Sequence, residues 1–238
     1  RDVTDRKRIE TALAIANREL ESFSHSVAHD LRAPLWGMKG FARILLDEHG
    51  DALDEEGRDF LREIHESAVR MMAMVDALSS LARTTRSELN PAWVDLSELA
   101  RSVVAQLSQA DPSRRVDAVL GESLHARVDP QLARTLLENL IGNAWKFTSK
   151  TEAPRIEFGA VRQENGNAFF VRDNGAGFDM AYARRLFAPF QRLHTLTEFP
   201  GTGIGLATAQ RIVHRHGGRI WADGRVGEGA TFFFTLSR

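Results

Sequence analysis

Between residues 9 and 27 the apolar side chains fall at Ile9, Leu13, Ala16, Leu20, Phe23 and Val27, at intervals of 4, 3, 4, 3 and 4. That is a heptad seam flanked by Arg, Glu and Asn. Proline lacks an amide and crowds the preceding turn, so Pro34 is expected to bend the helix. The pattern resumes at Leu35, Met38, Ile44 and Leu45, which predicts one helix over about 4–47, bent near Pro34. HGDALD, 49–54, reads as a turn. A second helix is expected over 55–84, with a stripe at Phe60, Ile64, Ser67, Met71, Met74, Leu78 and Leu81. Two long helices joined by a short turn form an antiparallel hairpin. Its stripes are too wide to be covered within one hairpin. A homodimer through residues 5–84, making a four-helix bundle, is the expected remedy. Packing against the rest of the same chain is the alternative.

The rhythm changes after residue 84. Residues 85–94, TTRSELNPAW, read as a linker. Asp95 with Glu98 resembles a capping box opening a helix to about 108. Asp111 begins a turn, and 116–120 and 124–128 are strand candidates. Asp129-Pro130 is a strong helix start, with Leu132, Leu136, Leu140 and Ala144 along one face. Strands at 156–162 and 168–171 around a GN turn, helices at 182–186 and 203–216, and strands at 219–222 and 231–236 complete the reading. Gly217-Gly218 ends the last helix. The predicted fold is an all-α hairpin followed by an α/β sandwich, with helices on one face of a mixed sheet.

Composition narrows the function classes. The 238 residues carry 31 basic and 32 acidic side chains, for a formal net charge of −1. No global bias points to nucleic acid or an anionic membrane surface. The absence of cysteine excludes disulfide and thiolate chemistry. No apolar run reaches the eighteen or so residues of a membrane span, and the charged opening RDVTDRKRIE is unlike a signal peptide. A soluble, cytoplasmic piece of a longer protein is expected. Whether the whole protein is soluble or membrane-attached stays open.

The candidate chemistry lies in four places. Asn139 and Asn143 share a helix face with Lys146 nearby. Carboxamide oxygens suit a hard cation and lysine suits phosphate oxygens; a merely solvated polar face is the bland alternative. DNGAGF, 173–178, follows a strand candidate. Glycine permits close approach of a flat ring, and Asp173 can accept a hydrogen bond from an exocyclic amine. GTGIGLA, 201–207, precedes an amphipathic helix and leaves amides free for phosphate. It has neither the P-loop lysine nor the βαβ setting of the dinucleotide fingerprint. Between them QRLHTLTEFP, 191–200, is a candidate lid, in which Arg192 and His194 either reach a nucleotide or are solvated. Upstream, His29 is followed by Asp30 and Arg32. A neutral imidazole is a competent nucleophile toward a γ-phosphoryl group. Asp30 can orient or deprotonate the ring, and Arg32 can offset phosphate charge. His25 is the competitor, without an adjacent acid.

Together these motifs resemble the catalytic core of a bacterial sensor histidine kinase over residues 15–238. FSHSVAHDLRAPL resembles the H box, NLIGNAWKF the N box, DNGAGF the G1 box, FAPF the F box and GTGIGLA the G2 box. The ATP-binding half is of the type shared with gyrase, Hsp90 and MutL. The resemblance implies ATP and Mg2+ as cofactors, His29 as phosphoacceptor with Asp30 and Arg32, and Mg2+ at Asn143. It places ATP contacts at Asn139, Asn143, Lys146, Asp173, Gly175, Gly177, Phe190, Arg192, Gly201, Thr202, Gly203, Gly205 and Leu206. It divides the chain into a signalling helix (1–22), a dimerisation and phosphotransfer domain (23–84), a linker (85–94) and an ATP-binding domain (95–238). The implied partners are a response-regulator receiver and an upstream PAS or phytochrome-like sensor, with no nucleic acid and no membrane contact. Many relatives carry Thr or Asn four residues after the phosphoacceptor, where this chain has Ala33; weak phosphatase activity is expected. The rival readings are an ATP-hydrolysing clamp with Glu138 as base, and a non-catalytic dimeric scaffold.

Overall fold

The computed structural model describes residues 27–28, 30–86, 89–163, 166–195 and 198–236. The signalling helix, His25, His29, lid residues 196–197 and the side chains of Leu78 and Leu81 lie outside the described residues. The chain divides into two compact units, Arg1–Arg83 and Thr84–Arg238.

The first unit is a helical hairpin. Helix α1 covers 30–49 and runs on through Pro34; a 3-10 turn, Gly50–Ala52, leads to α2, Glu55–Arg86. Asp54 caps α2 through the Gly57 amide at 2.8 Å, and Arg58 ties the turn to the Gly50 and Leu53 carbonyls. The helices meet along Leu35 and Ala42 of α1, with Ala28 ahead of it, and Ala68 and Val75 of α2, all buried. This is not the stripe the sequence singles out. The α2 seam facing α1 lies one residue on, at Leu61, His65, Ala68, Met72 and Val75, whereas Phe60, Ile64 and Met71 stay exposed. On α1, Leu31, Met38, Phe41, Ile44 and Leu45 are likewise exposed.

The second unit is α+β, as expected. Its elements are β1 (Ala92–Asp95), α3 (Leu96–Ala110), β2 (Asp117–Leu120), β3 (His125–Val128), α4 (Pro130–Phe147), β4 (Arg155–Gln163), β5 (Gly166–Asp173), a 3-10 turn (Met180–Arg185), α5 (Gly205–Arg215), β6 (Ile220–Arg225) and β7 (Gly229–Phe234). Five strands form a mixed sheet in the order β2-β4-β5-β7-β6, with only β2–β4 parallel; β1 and β3 pair separately, antiparallel. Alternation aims Ile156, Phe158, Phe169, Val171, Phe232 and Phe234 at one core shared with Leu136, Leu140 and Ile141 of α4 and Ile212 of α5. The other face carries Phe170, Phe233 and Trp221 side by side.

Three sequence expectations need correction. Residues 92–94, read as linker, are strand β1, because β3 downstream, with Val94 opposite Ala126, supplies their ladder. Gly166-Asn167, read as the hairpin turn, begins β5 opposite Gln163 and Arg162. The helix expected at 182–186 is a 3-10 turn, Met180–Arg185, capped by Asp179.

Candidate functional site

Helix α4 sets the phase of the site. The Asp129 carboxylate accepts the Gln131 and Leu132 amides, and Pro130 fills the first turn, where a missing amide costs nothing. So anchored, α4 buries Leu132, Leu136, Leu140 and Ala144 and leaves Asn139, Asn143 and Lys146 half-buried. The Asn139 amide donates to the Thr135 carbonyl at 2.7 Å. Its oxygen faces Gly205, where a Cβ would come within 2.6 Å. Asn139 therefore packs on the start of α5 and requires glycine there. Among the described residues the Asn143 carboxamide has no hydrogen-bond partner. Lys146 lies beside Gly201, where a Cβ would meet Nζ at 3.1 Å, and over the Phe147 ring at 4.2 Å. Desolvation, with repulsion from Arg192, holds its ammonium down to about 8.

The DNGAGF turn is fastened to the C-terminal end of the same helix. β5 delivers Asp173 into the interior, 5 % exposed, and its carboxylate accepts the Gly175 amide at 2.9 Å. Burial pushes this carboxyl up to about 6, against the pull of the Gly175 and Ala230 amides. Gly175 passes so near the Phe147 carbonyl that a Cβ would lie 2.4 Å from its oxygen, and Ala176 N–H donates to that oxygen at 3.1 Å. Gly177 has φ +60, and a Cβ there would overlap the Arg225 carbonyl at 1.9 Å. Only glycine fits both positions.

The segment between the two glycine turns folds on itself. Phe190 is half exposed with φ 63, a conformation bulky residues avoid; its amide donates to the Gly203 carbonyl at 3.0 Å, and Gly203 itself has φ +75. Arg192 donates to the Thr195 and Phe199 carbonyls at 3.3 and 2.7 Å. His194 Nε2 lies 3.0 Å from the Gly177 carbonyl, and its ring packs with Phe147 and Phe199 at 5.4 and 5.2 Å. Thr202 is half-buried, and Leu206 packs on the domain core, holding the first turn of α5.

These contacts bring Asn139 to Gly205, Lys146 to Gly201 and Arg192, and Asp173 to Gly175. They also include residues the sequence did not single out. Phe147 and Phe199 meet edge-on at 5.1 Å, and buried Thr148 closes α4. Phe199 stands in the candidate lid, QRLHTLTEFP, and is buried, but nothing local marks what it packs against. The arrangement offers a buried acceptor for an exocyclic amine, and a lysine with the free amides before α5 for phosphates.

In the hairpin unit Asp30 is exposed. Arg32 reaches across to Asp76, with Nε and Nη2 at 3.1 and 2.9 Å from one carboxylate oxygen, and to buried Ser79 at 3.5 Å. Asp76 is thus a neighbour of the H-box segment that sequence reading missed; an ion pair across 44 positions leaves no local pattern. Among the described residues no group of three or more His, Cys, Asp or Glu side chains could hold a metal, and no helix is long and apolar enough to cross a membrane.

Comparison with known proteins bears on both units. Residues 19–86 match the His Kinase A (phospho-acceptor) domain, and residues 128–238 match the histidine kinase-, DNA gyrase B-, and HSP90-like ATPase. The chain is 31 % identical over 221 residues to the phytochrome-like protein Cph1 of Synechocystis sp., and 34 % over 226 residues to cyanobacterial phytochrome A of Nostoc sp.; each alignment covers 93 % of this chain and 29 % of the relative. It is 32 % identical over 247 residues to the aerobic respiration control sensor protein ArcB of Escherichia coli, covering 99 % of this chain and 31 % of that protein. The chain thus spans under a third of the length of these relatives. Among solved structures, full-length ShkA in complex with AMPPNP superposes with a TM-score of 0.62 at 29 % identity, over 90 % of this chain and 45 % of that one. The nucleotide-free catalytic domain of histidine kinase ThkA gives 0.52 at 25 % identity, over 62 % and 95 %. With a phospho-acceptor hairpin followed by an ATP-binding domain of this type, the chain belongs to the two-component histidine kinases, whose catalytic core it carries.

Proposed function

We propose that this chain transfers the γ-phosphoryl group of ATP to His29 and then to an aspartate of a response-regulator receiver domain. The observation that carries the reading is the buried Asp173 carboxylate, fastened to the same helix that presents Asn139, Asn143 and Lys146. Asp173 would accept from the adenine amine, Gly175 and Gly177 would let the ring approach, and Lys146 would meet the phosphates. Gly201, Thr202, Gly203 and Gly205 would frame the phosphates, with Phe190, Arg192 and Leu206 holding that frame.

Mg2+ fits this site only in company with the nucleotide. One neutral carboxamide, Asn143, with no carboxylate cluster beside it, is too few ligands to hold the ion alone. Magnesium commonly keeps its waters and takes phosphate oxygens for the rest. It would supply charge neutralisation at the γ-phosphate, while this chain's residues position and desolvate. Asp30 would hold the His29 ring in its neutral, nucleophilic form. Arg32 would be kept close to the same helix turn by Asp76. The hairpin would dimerise through residues 5–84, burying exposed side chains such as Phe41 and Phe60. The functional divisions proposed are 1–22, 23–84 and 95–238, joined by the 85–94 linker, whose first two residues end α2 and whose last three belong to β1. With Ala33 four residues after His29, phosphatase activity would be weak.

The clamp reading is weaker, because Glu138 is exposed and engaged with Arg134 at 3.4 Å. Incubation with γ-labelled ATP separates the alternatives. Acid-labile, base-stable label that disappears in His29→Gln is the expected result. Free phosphate without protein label would mean a clamp, and neither product would mean a scaffold.

A further inference from the structure

The last turn of α4 touches every part of the nucleotide site. Phe147 O holds the adenine-side turn, Lys146 faces the phosphate-side turn, and the Phe147 ring packs with lid residues His194 and Phe199. A helix end leaves its final carbonyls without intrahelical partners, so something must hold them. Ala144 O takes the Thr148 amide at 3.2 Å and the Thr148 hydroxyl at 2.7 Å; Lys146 O takes the Ser149 amide at 3.1 Å; Phe147 O takes the Ala176 amide. The Trp145 carbonyl takes Nη1 of Arg114. The other arm of the same guanidinium donates to the Thr148 hydroxyl at 2.7 Å, and its Cζ lies over the Trp145 ring, 5.0 Å from the centroid. A cation at a helix C-terminus is also favoured by the helix dipole. Arg114 sits in the turn before β2 and approaches α4 from behind the site.

We propose that Arg114 is a positioning residue for nucleotide binding. Its fork holds the Trp145 carbonyl and the Thr148 hydroxyl, and so sets the position of Lys146 and of the Phe147 carbonyl that anchors the Asp173 turn. The inference rests on the reading of this site as the ATP site. Lysine is a poor replacement, because its compact ammonium lacks the planar fork that reaches both acceptors from over the indole.

The test measures AMPPNP affinity by calorimetry, and KM and kcat for autophosphorylation, on the whole chain carrying Arg114→Met, Arg114→Lys, Thr148→Val and Arg114→Met with Thr148→Val. Loss of a hydrogen bond to a charged group at this position is expected to weaken AMPPNP about ten-fold and raise KM for ATP in parallel, with kcat at saturating ATP retained. The double variant should be no weaker than Arg114→Met, since both remove one clamp. If Arg114→Met does not fold, Arg114→Lys and Thr148→Val carry the same comparison. Unchanged AMPPNP affinity in folded variants, with only a lower Tm, would overturn the proposal and leave the ATP site intact. Failure of the unaltered chain to bind AMPPNP would overturn the reading of the site as well.

Discussion

The two units solve the same problem, burying apolar surface, in opposite ways. The C-terminal unit closes on itself: Leu140, Ile141, Ile156, Phe234 and Ile212 are buried in one core shared by helices and sheet. The hairpin closes only a thin seam, largely of alanine, and leaves Phe41 70 %, Phe60 60 % and Trp36 58 % exposed. A two-helix unit has too little interior for such side chains. The C-terminal unit thus covers its own apolar interior, whereas the described hairpin leaves a face that only a further surface would cover.

Perturbing a residue in each unit breaks this contrast differently. The largest effect is expected at the closed core. Leu140→Ala should destabilise the C-terminal unit by about 2–5 kcal/mol, the usual range for emptying a packed site, read from chemical denaturation. A loss below about 1 kcal/mol would mean that α4 is not packed as described. Next comes the open face. Phe41→Glu with Phe60→Glu should convert a dimer into a monomer by sedimentation, with AMPPNP affinity unchanged. A dimer that survives both changes would place the interface elsewhere.

Third is the pH dependence of nucleotide binding. Asp173 ionises near 6 rather than its ordinary 3.8, so between those values the folded chain keeps a proton that the unfolded chain has lost. Folding stability from this group therefore falls as pH rises through that window and is level above it. Nucleotide binding has the opposite sign, because an amine donor prefers the carboxylate: affinity should weaken as pH falls below about 6. Lys146, held down to about 8, should make affinity weaken again above that pH, as its charge is lost. Calorimetric titration across pH checks both arms; Asp173→Asn should flatten the acid arm alone. The smallest effect is expected in the hairpin, where Ala33→Thr should speed loss of phosphate from a phosphorylated receiver. No gain would dissociate Ala33 from dephosphorylation.

Local signals were legible where the cause is local. Asp95 does accept the Ser97 and Glu98 amides, and Asp129-Pro130 does open α4; a cap and its recipients lie within four residues, so order along the chain suffices. Glycines at 175, 177 and 203 could be marked as special, but not what excludes a side chain there: the Phe147 carbonyl, the Arg225 carbonyl and the Phe190 backbone. The α2 seam shows the limit from another side. Two neighbouring stripes run along that helix, and periodicity picked the more apolar one, which its own hairpin partner does not cover. Hydrophobicity reports that a face needs covering and says nothing about which chain covers it.

By itself, then, the order of residues determined a long-helix hairpin followed by an α+β unit, the start of α4, and the polar face at Asn139, Asn143 and Lys146, because periodicity and capping act over a few residues. Only the tertiary fold decided that β1 pairs with β3, that Arg114 closes the end of α4, that Arg32 turns to Asp76, and that burial moves Asp173 and Lys146 toward neutrality. Those outcomes depend on distances and solvent exclusion between segments tens of residues apart, which no local pattern encodes.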